Sequence, residues 1–87
     1  MLPTLVINWM NEHKWEFTTN DPGLDGMQFI WIGGKRLFAV GEEYVIIPSS
    51  YYDRVTGFIN NKNGPQVWHA GDPDLFAKLE RFINDCS

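Results

Sequence analysis

Three strand-like runs in the middle of the chain, residues 27–32, 35–40 and 43–48, are separated only by Gly33-Gly34 and Gly41-Glu42. Connections this short can join antiparallel neighbours only, because parallel strands need a crossover of a dozen or more residues. Gly-Gly suits a two-residue hairpin, and a Gly in the first turn position suits type II′. Counting outward from the first turn sets Ile32 opposite Lys35, Trp31 opposite Arg36, Phe29 opposite Phe38 and Met27 opposite Val40. Counting from the second sets Val40 opposite Glu43, Phe38 opposite Val45 and Leu37 opposite Ile46. One face of this meander then carries Phe29, Phe38 and Val45, flanked by Met27, Val40 and Ile47. The other carries Ile30, Leu37 and Ile46, flanked by Ile32, Ala39 and Tyr44. A sheet wetted on one side alternates apolar and polar residues. This one does not, so both faces call for cover.

The flanking segments supply candidates for that cover. Residues 4–14 read as a short helix capped by Thr4, with Leu5, Val6, Trp9, Met10 and His13 on one face. Residues 15–19 alternate and suit a first strand, and Asn20-Asp21-Pro22-Gly23 reads as a turn, with irregular chain to Gly26. Two readings compete for residues 49–60. Tyr51-Tyr52 and Phe58-Ile59 can pair as a hairpin around Asp53–Gly57, or Ser50 can cap a helix carrying Tyr51, Val55, Phe58 and Ile59. The hairpin is favoured, because Gly57 would cost about 1 kcal/mol inside a helix. Asn61-Lys62-Asn63-Gly64 is a further turn, and residues 66–69 form a short strand. At the end, Asp72 suits an N-cap and Pro73 the first helical position, followed by the apolar stripe Leu75, Phe76, Leu79, Phe82 and Ile83. The expected fold is α+β: an antiparallel meander of about four to six strands, with a short N-terminal helix and an amphipathic C-terminal helix, in a single domain over residues 1–87. Either each helix covers one sheet face, or both cover one face and leave the other as an interface.

A chain of 87 residues buries only roughly 60–65% of the surface its unfolded form exposes. Four Trp, six Phe and three Tyr make that burial efficient, at about 150–250 Å² for each aromatic side chain. The net charge of −4 comes with no basic stripe of the kind nucleic-acid binding needs, which argues against that role. A single cysteine, Cys86, cannot close an internal disulfide, and there is neither a leader-like segment nor an apolar run long enough for a membrane span. These features lead us to expect a cytoplasmic protein with no membrane partner.

No constellation of residues suggests catalysis or a cofactor. The two histidines, His13 and His69, are far apart in sequence and accompany one terminal cysteine, which falls short of a metal-ligand set. His13 is expected as a core or boundary imidazole. Cys86 lies at a chain end where a catalytic position is hard to hold, and Ser49-Ser50 suits a strand end or cap. Glu42-Glu43 and Asp72/Asp74 have turn and helix-start roles, and Gly33-Gly34 lacks the helix that a phosphate loop requires. We therefore expect no catalytic, cofactor-binding or metal-binding residues and no enzymatic activity.

What remains is an aromatic and basic set. Tyr51, Tyr52 and Arg54 come together near one loop, and Trp31 and Arg36 are expected as cross-strand neighbours with Lys35 adjacent. Tyr, Trp and Arg are enriched at protein-binding hot spots, although the same residues also pack structurally, a tyrosine at a sheet edge or a Trp under an arginine stem. The expectation is a small binding module that inhibits or adapts a larger protein or complex, in the size class of immunity proteins and phage-encoded blockers of host defence. The alternatives are a homodimer closed through an apolar sheet face and a ligand-binding or catalytic pocket using His69 or His13.

Overall fold

The computed structural model describes residues 1–20 and 27–86. It contains a helix, seven strands and a second helix: α1 (Leu2–Glu12), β1 (Thr18–Asn20), β2 (Gln28–Ile32), β3 (Lys35–Val40), β4 (Tyr44–Ile47), β5 (Ser50–Asp53), β6 (Gly57–Asn60), β7 (Gln66–His69) and α2 (Leu75–Cys86). All strand pairings are antiparallel, and the fold is α+β. The expected turn at residues 20–23 and the irregular stretch to Gly26 lie, beyond Asn20, outside the described residues.

Helix α1 starts two residues before the expected start. Pro3 occupies its first turn, where a missing N–H leaves no hydrogen bond unmade, and Leu2 N–H donates to Glu42 O at 3.3 Å. Thr4 therefore lies inside the helix and does not cap it. Leu2, Val6 and Met10, four residues apart, form the buried stripe. Beyond the helix Lys14 takes a left-handed φ of 60°, and Trp15 N–H donates back to Met10 O at 3.2 Å. This reversal returns Trp15 and Phe17 against the core, so strand β1 begins at Thr18 and not at residue 15.

The first hairpin is as expected near its turn, with Ile32 opposite Lys35 and Trp31 opposite Arg36. Both turn glycines have positive φ, 61° and 79°, which makes the turn type I′ and not II′. Beyond Trp31 the register shifts by one: Ile30 faces Phe38, Phe29 faces Ala39 and Gln28 faces Val40. Leu37 is the extra residue of a β-bulge, and both it and Phe38 are buried in the core. The expected Phe29–Phe38 and Met27–Val40 pairs do not form. The second turn is centred on Glu42-Glu43, with Gly41 N–H donating to Tyr44 O at 2.8 Å, so Val40 faces Val45 and Ala39 faces Ile46. That displacement is two residues, which leaves side-chain faces unchanged.

Residues 49–60 form the hairpin. Strand β3 pairs with β4 along one half and with β5 along the other, while β7 and β6 extend the sheet outside them. The kink between β4 and β5 is held by Asn61, which is buried. Its Nδ2 donates to Pro48 O at 2.9 Å, its backbone N–H donates to Ser49 O at 2.8 Å, and its Oδ1 accepts from Asn63 N–H at 3.0 Å.

Helix α2 begins at Leu75, two residues after the expected Pro73. Asp72 still organises its start, accepting from Asp74 N–H at 2.8 Å through Oδ1 and pairing with Lys78 through Oδ2. Leu75, Leu79, Phe82 and Ile83 are buried along one stripe. Phe82 meets Phe38 and Trp68 edge-on, with centroids 6.1 and 6.4 Å apart, and Phe76 meets Trp9 of α1 at 5.1 Å. Both helices thus pack on the face carrying Ile30, Leu37, Phe38, Val40, Val45, Ile47 and Trp68. Among the described residues no helix is long and apolar enough to cross a membrane.

Candidate functional site: the sheet face away from the helices

With both helices on one side, the other side of the sheet has no helix over it among the described residues. Strand pairing assembles two rows of side chains there. One runs Thr18–Trp31–Arg36–Tyr52–Phe58 across β1, β2, β3, β5 and β6. The second runs Phe29–Ala39–Ile46–Val67 across β2, β3, β4 and β7, with Tyr44 opposite His69 beyond it. Phe58 is 69% exposed and Val67 51%. An aromatic this accessible on an ordered strand is an unburied apolar surface of the kind that marks an interaction site when it is contiguous with others.

The six sequence-predicted residues divide between the two faces. Trp31, Arg36, Tyr52 and Arg54 belong to the open face. The Arg36 guanidinium carbon lies 4.9 Å from the Phe29 ring centroid and 5.9 Å from that of Tyr52. That of Arg54 lies 4.7 Å from the Trp31 centroid. Tyr52 meets Trp31 and Phe58 edge-on, at 6.1 and 5.2 Å. Lys35 and Tyr51 lie on the helix side. Lys35 Nζ donates to Cys86 O at 3.0 Å, closing the end of α2, and Tyr51 packs against the core. Burial raises the Tyr51 phenol pKa, with Cys86 and Asp53 adding to the effect. Burial also raises that of the Cys86 thiol, against the opposing Lys35 ammonium.

Two hydrogen-bonding features distinguish the open face. Asp53, the acid nearest Arg54 in sequence, is engaged by its own turn, accepting from Val55 N–H at 2.7 Å and Thr56 N–H at 3.2 Å. Glu16 lines the recess beside Arg54, Trp31 and Gly33-Gly34 without forming an ion pair. Among the described residues Arg36 and Arg54 therefore have no carboxylate partner. Trp31 Nε1, shielded from solvent, likewise has no acceptor. By contrast, Trp68 Nε1 on the helix side donates to Gln66 Oε1 at 2.9 Å.

No family model, curated protein or solved structure matches this chain. The site therefore rests on its geometry. Phe29 and Phe58 are members that the sequence reading missed. Counting outward from the Asp53–Gly57 loop places Phe58 opposite Tyr52, whereas Phe29 was hidden by the bulge. The histidines lie apart from the Arg36–Trp31 cluster. His13 is exposed at the end of α1, not a core or boundary imidazole; it stacks on Trp15 at 5.1 Å, and its Nδ1 lies 3.0 Å from Trp9 O. His69 is exposed at the end of β7.

Proposed function

We propose that this protein is a binding module that docks on a larger protein through the sheet face away from the helices, and inhibits or adapts that partner. The observation that carries the reading is the placement of both helices on one side, so that among the described residues no helix covers the aromatic and arginine rows of the other side. Phe58 supplies accessible apolar area, and Arg36, Arg54 and Tyr52 combine apolar stems or rings with polar ends, the mixture that dominates binding energy at protein interfaces. The acids at Glu42, Glu43, Asp72 and Asp74 belong to the turn joining β3 to β4 and to the segment entering α2, away from the arginine-bearing end of β3.

The test is affinity capture from lysate of the source cell or its host, with and without nuclease, using the native protein, Tyr52→Ala, Phe58→Ser and the helix-surface control Glu80→Ala. One near-stoichiometric protein, insensitive to nuclease, retained by Glu80→Ala and lost with the two sheet variants, is the expected result. Retention of that protein by both sheet variants would overturn the docking face. A solution mass that doubles with concentration, and is restored to monomer by Phe58→Ser, would assign the face to a second copy of the chain instead.

A further inference from the structure

We infer that the segment docking on this face presents paired carboxylates, read by Arg36 and Arg54; this rests on the reading of the face as a protein-docking surface. The two guanidinium groups lie over rings, 4.9 Å from Phe29 and 4.7 Å from Trp31. Cation–π attraction holds a guanidinium over a ring without using up its N–H donors. Neither arginine forms an ion pair among the described residues, and the neighbouring Asp53 carboxylate is already engaged by its turn. The buried Trp31 indole N–H beneath Arg54 adds another donor without an acceptor. The central patch is thus rich in donors and poor in acceptors, and the complementary chemistry is a carboxylate held in the two-pronged geometry that arginine favours.

Spacing narrows the class further. Arg36 is opposite Tyr52, and Arg54 lies two residues beyond Tyr52, its N–H donating to Gly34 O at 3.0 Å in continuation of the pairing. With strands about 4.8 Å apart and about 3.3 Å of rise per residue, the two arginine Cα atoms are about 8 Å apart. Carboxylates at alternate positions of an extended segment are spaced about 6.6 Å apart along one face, within reach of two arginine side chains. Apolar residues at further alternate positions, on the same face as the carboxylates, would rest on Phe58 and the Phe29–Ile46–Val67 row. Single-stranded nucleic acid, the other polyanion that aromatic sheets bind, needs open ring faces on which bases stack. Here arginines of the same chain lie over Trp31 and Phe29, and the net charge is −4, so the observations favour the peptide carboxylate.

The test uses a short synthetic peptide whose alternate positions carry Val, Glu, Glu and Phe with Ser between them, so that all four face one side, its counterpart with Gln for every Glu, and a thymidine oligonucleotide, each titrated by fluorescence anisotropy. The native protein, Arg36→Gln, Arg54→Gln, Arg54→Lys and Phe58→Ser are compared after thermal melts establish that each is folded. The Glu peptide should bind the native protein and the Gln counterpart should not. Each arginine-to-glutamine change should weaken binding about tenfold, and Arg54→Lys should restore only part of the loss, because lysine lacks the fork. Equal binding of both peptides, with loss on Phe58→Ser, would overturn the carboxylate reading and leave the docking face standing. No binding of either peptide together with loss of lysate capture by Phe58→Ser would do the same. Oligonucleotide binding in place of the peptide would overturn both readings.

Discussion

Gly64→Ala tests the kink that sets the β5–β6 hairpin, and with it Tyr52, Arg54 and Phe58, against β3. A Cβ at Gly64 would lie 2.0 Å from Pro48 O and 2.7 Å from Pro48 C. Ordinary contact, at about 3.5–4.0 Å, needs roughly a further 1.5 Å from the oxygen and about 1 Å from the carbon. The obstacle is backbone, and it is held in place, because Pro48 O is the acceptor for Asn61 Nδ2 at 2.9 Å. Opening the gap breaks that bond and leaves the buried Asn61 amide unsatisfied, at a cost of about 1–3 kcal/mol. Residual strain adds about 1–3 kcal/mol, while reduced freedom of the unfolded chain returns about 0.4–1 kcal/mol. The net loss centres on about 3 kcal/mol, or roughly 12–24 °C in Tm for a domain of this size. Urea titration followed by tryptophan fluorescence measures it, with Gly71→Ala as the control. A Cβ at Gly71 meets nothing within 4 Å and its φ is not left-handed, so that variant should gain about 0.4–1 kcal/mol. A Gly64→Ala variant as stable as Gly71→Ala would refute the reasoning.

Three further outcomes follow from burial and charge. Phe82→Ala, at a residue 3% exposed against Phe38 and Trp68, should lose about 3–5 kcal/mol in denaturant titration, whereas Phe58→Ser should change stability by no more than about 0.5 kcal/mol. The Lys78 hydrogen bond, aided by Asp74 N–H, lowers the Asp72 pKa, so its contribution is complete above the unfolded carboxylate value near ~4 and is lost as pH falls through the lower folded value; Asp72→Asn should flatten that part of the acid stability profile. Burial raises the pKa of Cys86 and Tyr51, so their contribution is complete below the unfolded values, about 8.5 for a thiol and about 10 for a phenol, and is lost as pH rises through the folded ones. Alkylation of Cys86 by iodoacetamide at pH ~8.5 should accordingly be slower in the folded protein than after denaturation, since the thiolate is the nucleophile.

Legibility in the sequence followed the strength of local signals. The α2 stripe was readable because Leu75, Leu79, Phe82 and Ile83 recur at helical spacing between charged residues. The Trp31–Arg36 pair was readable because two adjacent glycines leave a two-residue turn little freedom in register. Immediately beyond that pair the reading failed. Leu37, Phe38, Ala39 and Val40 are all apolar, so no polar residue marks which side faces water, and an extra residue at Leu37 leaves no pattern to betray it. The bulge allows Leu37 and Phe38 both to enter the core and moves Phe29 to the open face. The sequence indicated that both sheet faces were apolar but could not place the helices, since α1 and α2 each need one apolar surface and two were on offer. The second turn moved because Gly41 is used as a pairing residue, and Glu42-Glu43 make the reversal. Thr4 was misread as a cap because Pro3 is equally suited to a first turn.

The most direct test of the docking face is a titration of the isotope-labelled protein with the Glu peptide, followed by amide and indole N–H chemical shifts. The account predicts shifts concentrated at Trp31, Arg36, Tyr52, Arg54 and Phe58, including the Trp31 indole, with α1, α2 and the Trp68 indole unmoved. Shifts concentrated on α1 and α2, with the Trp31–Phe58 row silent, would contradict it.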